Sequence, residues 1–106
     1  MDYNINCGGY ALGINTCIFG DGKYTFDEAV WGLLRNFKFI RLINESDKIN
    51  DNEYKVYYRN DGWGGHHFVR EDNGIKTDKW GPEEIKQFDG WLSLETAKEA
   101  IFAVNK

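Results

Sequence analysis

The chain has 106 residues, a length typical of one domain, and its 42% hydrophobic and 28% charged residues are typical of a folded globular protein. This composition excludes a disordered chain, a collagen-like repeat and a coiled coil. The net charge of −4 argues against nonspecific nucleic-acid binding, because no basic field is present to displace counterions. We therefore expect a single domain over residues 1–106 with no nucleic-acid partner.

The N-terminal segment and the cysteine content indicate a compartment. Residues 1–6 contain neither the basic region nor the apolar run of a signal peptide, and no stretch reaches the roughly 18 apolar residues of a membrane helix. Two cysteines, Cys7 and Cys17, are too few for a disulfide framework. The sequence predicts a cytoplasmic protein with reduced thiols and no membrane partner.

The first element is a short helical turn near residues 10–12. Asn6 is a fair N-cap for it, because an Asn side chain accepts hydrogen bonds from the first free backbone amides of a helix. Gly8 and Gly9 each disfavour the helix by up to about 1 kcal/mol relative to alanine. We expect a short helix that begins near Cys7.

A second helix is predicted more directly. Thr25 and Glu28 have the spacing of a capping box, in which each side chain satisfies a backbone amide of the other residue. Apolar residues then follow at helical spacing. The predicted helix covers roughly residues 26–36, with Ala29, Val30, Leu33, Leu34 and Phe37 on its apolar side.

Strand-like segments follow the second helix. Alternating patterns predict four strands at residues 37–43, 53–59, 66–71 and 75–80. Asn73-Gly74 is a hairpin signal between the last two strands. Ser93 is a plausible N-cap of a closing helix that would bury Leu94, Ala97, Ile101 and Val104. The order predicts an α+β fold with an antiparallel sheet of about four strands.

One thiol and two histidines could carry chemistry. Cys7 would lie at a helix start, where the helix dipole lowers a thiol pKa. Cysteine catalysis also needs a base, usually histidine, and a group that orients the base. His66 and His67 are adjacent on one predicted strand, so they point to opposite faces and at most one of them faces Cys7.

Asp78 is the candidate orienting group. A two-residue turn at Asn73-Gly74 pairs residue 69 with Asp78, and a four-residue turn pairs His67 with Asp78. Either register places Asp78 on the face that carries His67, whereas a three-residue turn places it on the face of His66. The spacing thus permits Cys7, His67 and Asp78 to converge.

Two blocks resemble a known family. Residues 6–13, NCGGYALG, resemble the NCxxYALG nucleophile segment of compact papain-like cysteine hydrolases, the broad NlpC and CHAP superfamily. Residues 65–71, GHHFVRE, and 73–81, NGIKTDKWG, resemble the second block of bacterial and phage members, roughly DYHFYRQ and DGxWSHKPG. The resemblance spans about residues 5–82. It implies a small papain-like α+β domain with N-terminal helices packed on the sheet and a C-terminal helix.

The resemblance also implies roles for residues. Cys7 would be the nucleophile and His67 the base. Asp78 falls where relatives often have a polar third residue, commonly histidine. Ile75 replaces the usual tryptophan of the motif, and Trp80 replaces its proline. Aspartate is itself a competent partner for histidine, so the departure at Asp78 bears on the orienting group more than on the Cys–His pair.

Substrate contacts are expected around these residues. An oxyanion hole needs two donors, of which the Cys7 amide could supply one and Tyr3 or Asn4 the other. Trp63, in a glycine-rich turn, and His66 are candidates for contact with substrate. No metal is predicted, because the cysteine spacing and the adjacent histidines fit no zinc pattern. No cofactor is predicted either.

Two functional hypotheses remain open. The first is a cysteine hydrolase, phage-encoded or an effector, that attacks an amide of a protein or peptide as a peptidase, amidase or deamidase. The second is a non-catalytic, acidic, aromatic-rich binding protein, such as a phage inhibitor of a host defence system. A cysteine is more often a small core residue than a nucleophile. Trp80 and Trp91 are expected in the core or at its rim.

Overall fold

The computed structural model describes residues 5–14, 18, 24–60, 66–80, 84–90 and 98–106. Two helices, α1 (Cys7–Leu12) and α2 (Phe26–Asn36), precede the strands. The strands described are β1 (Ile40–Ile43), β2 (Glu53–Asn60), β3 (His66–Asp72), β4 (Ile75–Asp78), β5 (Lys86–Gln87) and β6 (Lys98–Asn105). They form one sheet in the order β1-β6-β2-β3-β4-β5, with every neighbouring pair antiparallel.

Both helices begin as the sequence predicts. The Asn6 side chain accepts a hydrogen bond from the Gly9 amide at 2.9 Å and caps α1. Thr25 and Glu28 form the expected capping box of α2, with the Glu28 amide donating to the Thr25 hydroxyl at 3.1 Å. Gly13 ends α1 with φ of 70°, a left-handed conformation that glycine adopts without strain.

The predicted closing helix is wrong over its second half. Ile101 and Val104, expected on one helical face, lie in β6, which pairs with β1 on one side and β2 on the other. Residues 100–104 are all buried, because a central strand packs against structure on both faces. The run AIFAV is consistent with a buried strand as well as a buried helix. Ser93, Leu94 and Ala97 lie outside the described residues.

The predicted fold class is also wrong. A papain-like α+β domain, with helices packed on about four strands and a closing helix, was the expectation. Instead, the described part of the chain is mostly a six-stranded antiparallel sheet accompanied by two short helices. The difference arises mainly from β6, which adds a central strand where a helix was expected.

The main core lies between the helices and one face of the sheet. Tyr54, Val56, Tyr58, Phe68 and Phe102 are buried on that face together with residues of both helices. The Tyr54 hydroxyl donates to the Ala11 carbonyl at 2.7 Å and fixes α1 over the sheet. A smaller cluster on the opposite face contains Ile43, Ile101 and Ala103.

The β3–β4 hairpin follows one of the predicted registers. Asn73 and Gly74 have φ of 53° and 79°, as a two-residue type I′ turn requires. Arg70 pairs with Thr77 and Asp72 with Ile75, so the next position along places residue 69 opposite residue 78. The two-residue alternative is therefore confirmed.

The helices were also compared with the length of a membrane span. Among the described residues, neither helix has the length and apolar character that crossing a bilayer requires.

Candidate active site

The two adjacent histidines occupy opposite faces of β3. The His66 ring lies edge-on to Tyr58 and Phe68, with centroid distances of 6.2 and 6.4 Å, on the face that the helices cover. His67 lies on the other face and is 1% exposed. Strand alternation thus separates the two imidazoles as the sequence predicts.

His67 and Asp78 form a buried pair. The distance from Nε2 of His67 to Oδ2 of Asp78 is 2.8 Å, and Asp78 is 3% exposed. In neutral histidine, Nε2–H donates to this oxygen, so the second ring nitrogen, Nδ1, carries the lone pair. An aspartate in this position fixes both the tautomer and the orientation of the imidazole.

Trp80 covers this pair. Its ring is stacked on the His67 imidazole, with centroids 3.6 Å apart and planes within 9° of parallel. Extending the hairpin register places Trp80 directly opposite His67 on the neighbouring strand. The indole is 41% exposed, so it shields the imidazole from water on one side and faces solvent on the other.

Cys7 is the first residue of α1 and packs against the main core. The helix approaches β3 closely: a Cβ on Gly8 would lie 2.9 Å from Cβ of Ile18 and 3.0 Å from the Phe68 ring. Glycine is therefore required here for packing, although the sequence predicts only that it weakens the helix. This contact sets Cys7 beside the strand residue that follows His67.

The environment of Cys7 opposes its ionisation. Desolvation raises the pKa of the thiol above its ordinary value of 9.0, and the nearby charge of Asp78 raises it further. Backbone hydrogen bonds from Phe68, Gly8 and Cys7 itself act in the opposite direction but are outweighed. The expectation that the start of α1 lowers this pKa is therefore wrong. The residue retains partial solvent exposure.

The environment of His67 also favours a neutral group. Desolvation lowers its pKa below the ordinary value of 6.5, and the hydrogen bond and charge of Asp78 only partly offset this effect. At pH 7 the pair Cys7 and His67 is thus a thiol and a neutral imidazole. No thiolate–imidazolium pair is preformed, yet the imidazole is in the protonation state of a base.

The structure brings some of the predicted site residues together. His67 and Asp78 are in direct contact on one face of β3. Cys7 packs with α1 against the core on the other face, the face of His66, where its thiol contacts the Phe68 backbone within electrostatic reach of Asp78. His66 contacts core aromatic rings on the helix-covered face. The predicted residues Tyr3, Asn4 and Trp63 lie outside the described residues, as do Cys17 and Trp91.

Sequence reasoning missed two residues of this site. Trp80 was expected in the core or at its rim, although the register that pairs residues 69 and 78 also places it across from His67. Lys79 is 4% exposed and its Nζ donates to the Ile5 carbonyl at 2.6 Å. A lysine within a polar strand end gives no sequence signal of burial, because lysine is rarely buried.

Comparisons with known proteins and a search for metal ligands add no further constraint. Within the described ranges, no three or more His, Cys, Asp or Glu side chains are grouped as ligands for a metal ion. Protein-family models, curated proteins and solved structures were compared with the chain, and none matches it. The function must therefore be inferred from the site itself.

Proposed function

We propose that this protein is a thiol-dependent amide hydrolase in which Cys7 is the nucleophile, His67 the general base and Asp78 the group that orients His67. The observation that carries the proposal is the buried contact of 2.8 Å between His67 and Asp78. Burying a histidine and a carboxyl group is costly, and buried titratable pairs of this kind occur preferentially at functional sites.

The position of Cys7 supports the same conclusion. Its thiol contacts the backbone of Phe68, the neighbour of His67, and senses the charge of Asp78. The residue is partly exposed, whereas His67 is almost fully buried. A substrate carbonyl can thus approach the sulfur while Trp80 and the sheet keep water from the imidazole.

Because Cys7 and His67 lie on opposite faces of β3, the proposal requires the thiol and the imidazole to meet around the start of that strand. In the first step, Nδ1 of His67 takes the thiol proton as Sγ of Cys7 bonds to the amide carbon. The carbonyl oxygen becomes an oxyanion, and Asp78 stabilises the imidazolium that forms. His67 then returns its proton to the amide nitrogen as the C–N bond breaks. The products of this step are an amine and a thioester on Cys7.

In the second step, water regenerates the enzyme. His67 removes a proton from the water as its oxygen attacks the thioester carbon, and the C–S bond then breaks. The acid leaves, and the proton returns to Cys7. Because His67 is neutral at pH 7, this general-base route needs no preformed thiolate.

The substrate class and the compartment follow from the same chemistry. A substrate amide in a protein or peptide suits a site that opens at the protein surface, and the proposal requires no cofactor. Because the nucleophile must remain a thiol, we place the protein in the cytoplasm, where cysteines are kept reduced.

The test measures hydrolysis of p-nitrophenyl acetate, together with alkylation of Cys7 by iodoacetamide, in a Cys17→Ala background. Substitution Cys7→Ala is expected to abolish turnover, and His67→Gln to reduce it by about 10²–10⁴-fold. His66→Gln tests the histidine on the helix-covered face, where Cys7 also packs, and should have a much smaller effect, because His66 does not contact Asp78. Alkylation should show an apparent pKa above 9.0.

Two results would contradict the proposal. If turnover persists in Cys7→Ala, Cys7 is not the nucleophile. If His66→Gln loses as much activity as His67→Gln, the assignment of His67 as the general base is contradicted. The raised pKa of Cys7 favours the second candidate, a non-catalytic binding protein, and absence of turnover in the parent protein would support it.

A further inference from the structure

Lys79 is a buried cation next to the proposed site. It is 4% exposed, and its Nζ donates a hydrogen bond of 2.6 Å to the carbonyl of Ile5. Ile5 lies two residues before Cys7, so this bond ties the chain that enters α1 to the end of β4. A hydrogen bond from an ammonium group is stronger than one between neutral groups, especially away from water.

The neighbouring residue Asp78 holds His67, the second member of the proposed Cys–His pair. Successive residues of a strand point to opposite faces, so Asp78 points toward His67 while Lys79 points toward the segment that carries Cys7. These two consecutive side chains connect one strand end to both of the groups that must meet during the reaction. Both side chains are buried.

The segment before α1 has a second attachment as well. The Asn6 side chain donates to the Ile18 carbonyl at 2.6 Å and accepts from the Ile18 amide at 3.0 Å. Ile18 therefore fixes Asn6 from the core side, and Lys79 fixes Ile5 from the strand side. Two attachments on consecutive residues restrict rotation of the chain immediately before Cys7.

We propose that Lys79 is a positioning residue, which holds the Ile5 carbonyl so that the Cys7 thiol stays in its position beside β3. This inference rests on the proposed function for its effect on turnover, but the effect on the position of Cys7 is independent of it. Loss of the ammonium frees the segment before α1. Cys7 then becomes more exposed and more reactive toward a small reagent, while its alignment with His67 is lost.

The experiment compares Lys79→Met, Lys79→Arg and the control Lys76→Met in the Cys17→Ala background. Lys76 is an exposed residue of β4, whose Nζ lies 4.6 Å from the ring centre of Tyr57, on the sheet face opposite the helices. Lys79→Met should raise alkylation of Cys7 by iodoacetamide at pH 8 about tenfold, because relief of desolvation favours the thiolate of Cys7 and exposure admits the reagent. Turnover of p-nitrophenyl acetate should fall at least about tenfold, because small misplacements are costly in catalysis.

The conservative variant and a stability control separate positioning from general loosening. Lys79→Arg keeps a cationic donor and should restore most of the turnover. Val104→Ala, a core truncation in β6, supplies a variant destabilised elsewhere. If Val104→Ala changes alkylation as much as Lys79→Met does, the effect is global and the proposal is overturned. Should Lys79→Met fail to fold, Lys79→Gln is measured by the same criteria.

The two proposals fail in different ways. If the parent protein has no turnover, the proposed function fails, and alkylation alone decides the role of Lys79. Faster alkylation in Lys79→Met than in Lys76→Met supports positioning of Cys7 in that case too. Equal alkylation in the two variants overturns the role of Lys79, whether or not the parent protein hydrolyses the ester.

Discussion

The two halves of the sheet are buried by different means. In β1, β6 and β2, most buried positions are apolar, with Glu53 and Asn60 of β2 the buried polar residues, and β6 packs apolar side chains on both of its faces. At the other end, where β3 meets β4, the buried set includes His67, Asp78 and Lys79. The first half is stabilised by filling volume, whereas the second depends on pairing polar groups with one another.

This difference bears on function. Burying polar groups stabilises a fold less than apolar packing of the same volume, since each group must recover its lost hydration. A domain that already has an apolar core does not need such a cluster for stability. The polar end of the sheet is therefore the part of the molecule whose residues require a functional explanation.

The largest expected loss of stability comes from a substitution in the apolar half. Phe102 in β6 is fully buried, and Phe102→Ala should destabilise the protein by about 3–5 kcal/mol, because it removes apolar contacts and leaves a cavity. Urea denaturation measures this loss. Leu42→Ala, at a position 51% exposed in the neighbouring strand, is the matched control and should cost far less. Equal losses would mean that the apolar half is not the source of stability.

The polar half should respond to loss of a partner. Asp78→Ala removes the hydrogen-bond acceptor of His67 and is expected to cost about 1–3 kcal/mol, because a buried donor loses its partner. Asp78→Asn keeps an oxygen acceptor and should recover part of this loss. Asp72, which forms ion pairs at 3.3 and 3.5 Å near the surface, supplies the control Asp72→Asn. Similar losses for Asp78→Ala and Asp72→Asn would show that burial of Asp78 contributes nothing.

The contact between α1 and β3 can be tested with a pair of glycines. Gly8→Ala should destabilise the fold, because overpacking costs about 1–3 kcal/mol and exceeds the gain of up to about 1 kcal/mol from removing a helical glycine. A methyl group on Gly32 in α2 would meet no other described part of the fold within 4 Å, so Gly32→Ala should stabilise by about 0.5–1 kcal/mol. Thermal unfolding measures whether each of the two substitutions raises or lowers the stability. A stabilising Gly8→Ala would contradict the close approach.

Local signals in the sequence were sufficient for several of these features. The capping side chains of Asn6 and Thr25 act within three residues of the chain, and the Asn73-Gly74 turn imposes its own register. Because side chains alternate along a strand, the two-residue register, one of the alternatives that the sequence allows, places Asp78 on the face of His67, where the two side chains meet. Each of these features depends on the few residues that form it.

Features set by tertiary packing could not be predicted in the same way. The apolar run in β6 is compatible with a helix, and only its pairing with β1 and β2 makes it a strand. The pKa of Cys7 depends on desolvation by the core, which outweighs the backbone hydrogen bonds at the start of α1. The burial of Lys79 depends on Ile5, a residue 74 positions away in the chain.

The smallest predicted effect is a dependence of stability on pH that His67 and Cys7 set on either side of neutral pH. The folded pKa of His67 is below 6.5, so its contribution is present above pH 6.5 and is lost as the pH falls through the folded value. The folded pKa of Cys7 is above 9.0, so its contribution is present below pH 9.0 and is lost as the pH rises through the folded value. Thermal unfolding should therefore show a Tm that changes little between pH 6.5 and pH 9.0 as far as these two groups are concerned.

Two variants assign the limits of this pH range. Cys7→Ala should remove the part of the high-pH decline that begins near pH 9.0 while leaving the decline at low pH. A decline above pH 10 should remain, because burial also raises the pKa values of Tyr54, Tyr57 and Tyr58. His67→Gln should instead remove the decline at low pH. Glu53, held by Arg41 with a pKa of about 2, loses its contribution only at lower pH, so it does not obscure the limit set by His67. Phe102→Ala lowers Tm at every pH without moving either limit, because it removes no titrating group. If it moved a limit, the two halves of the sheet would not be energetically distinct.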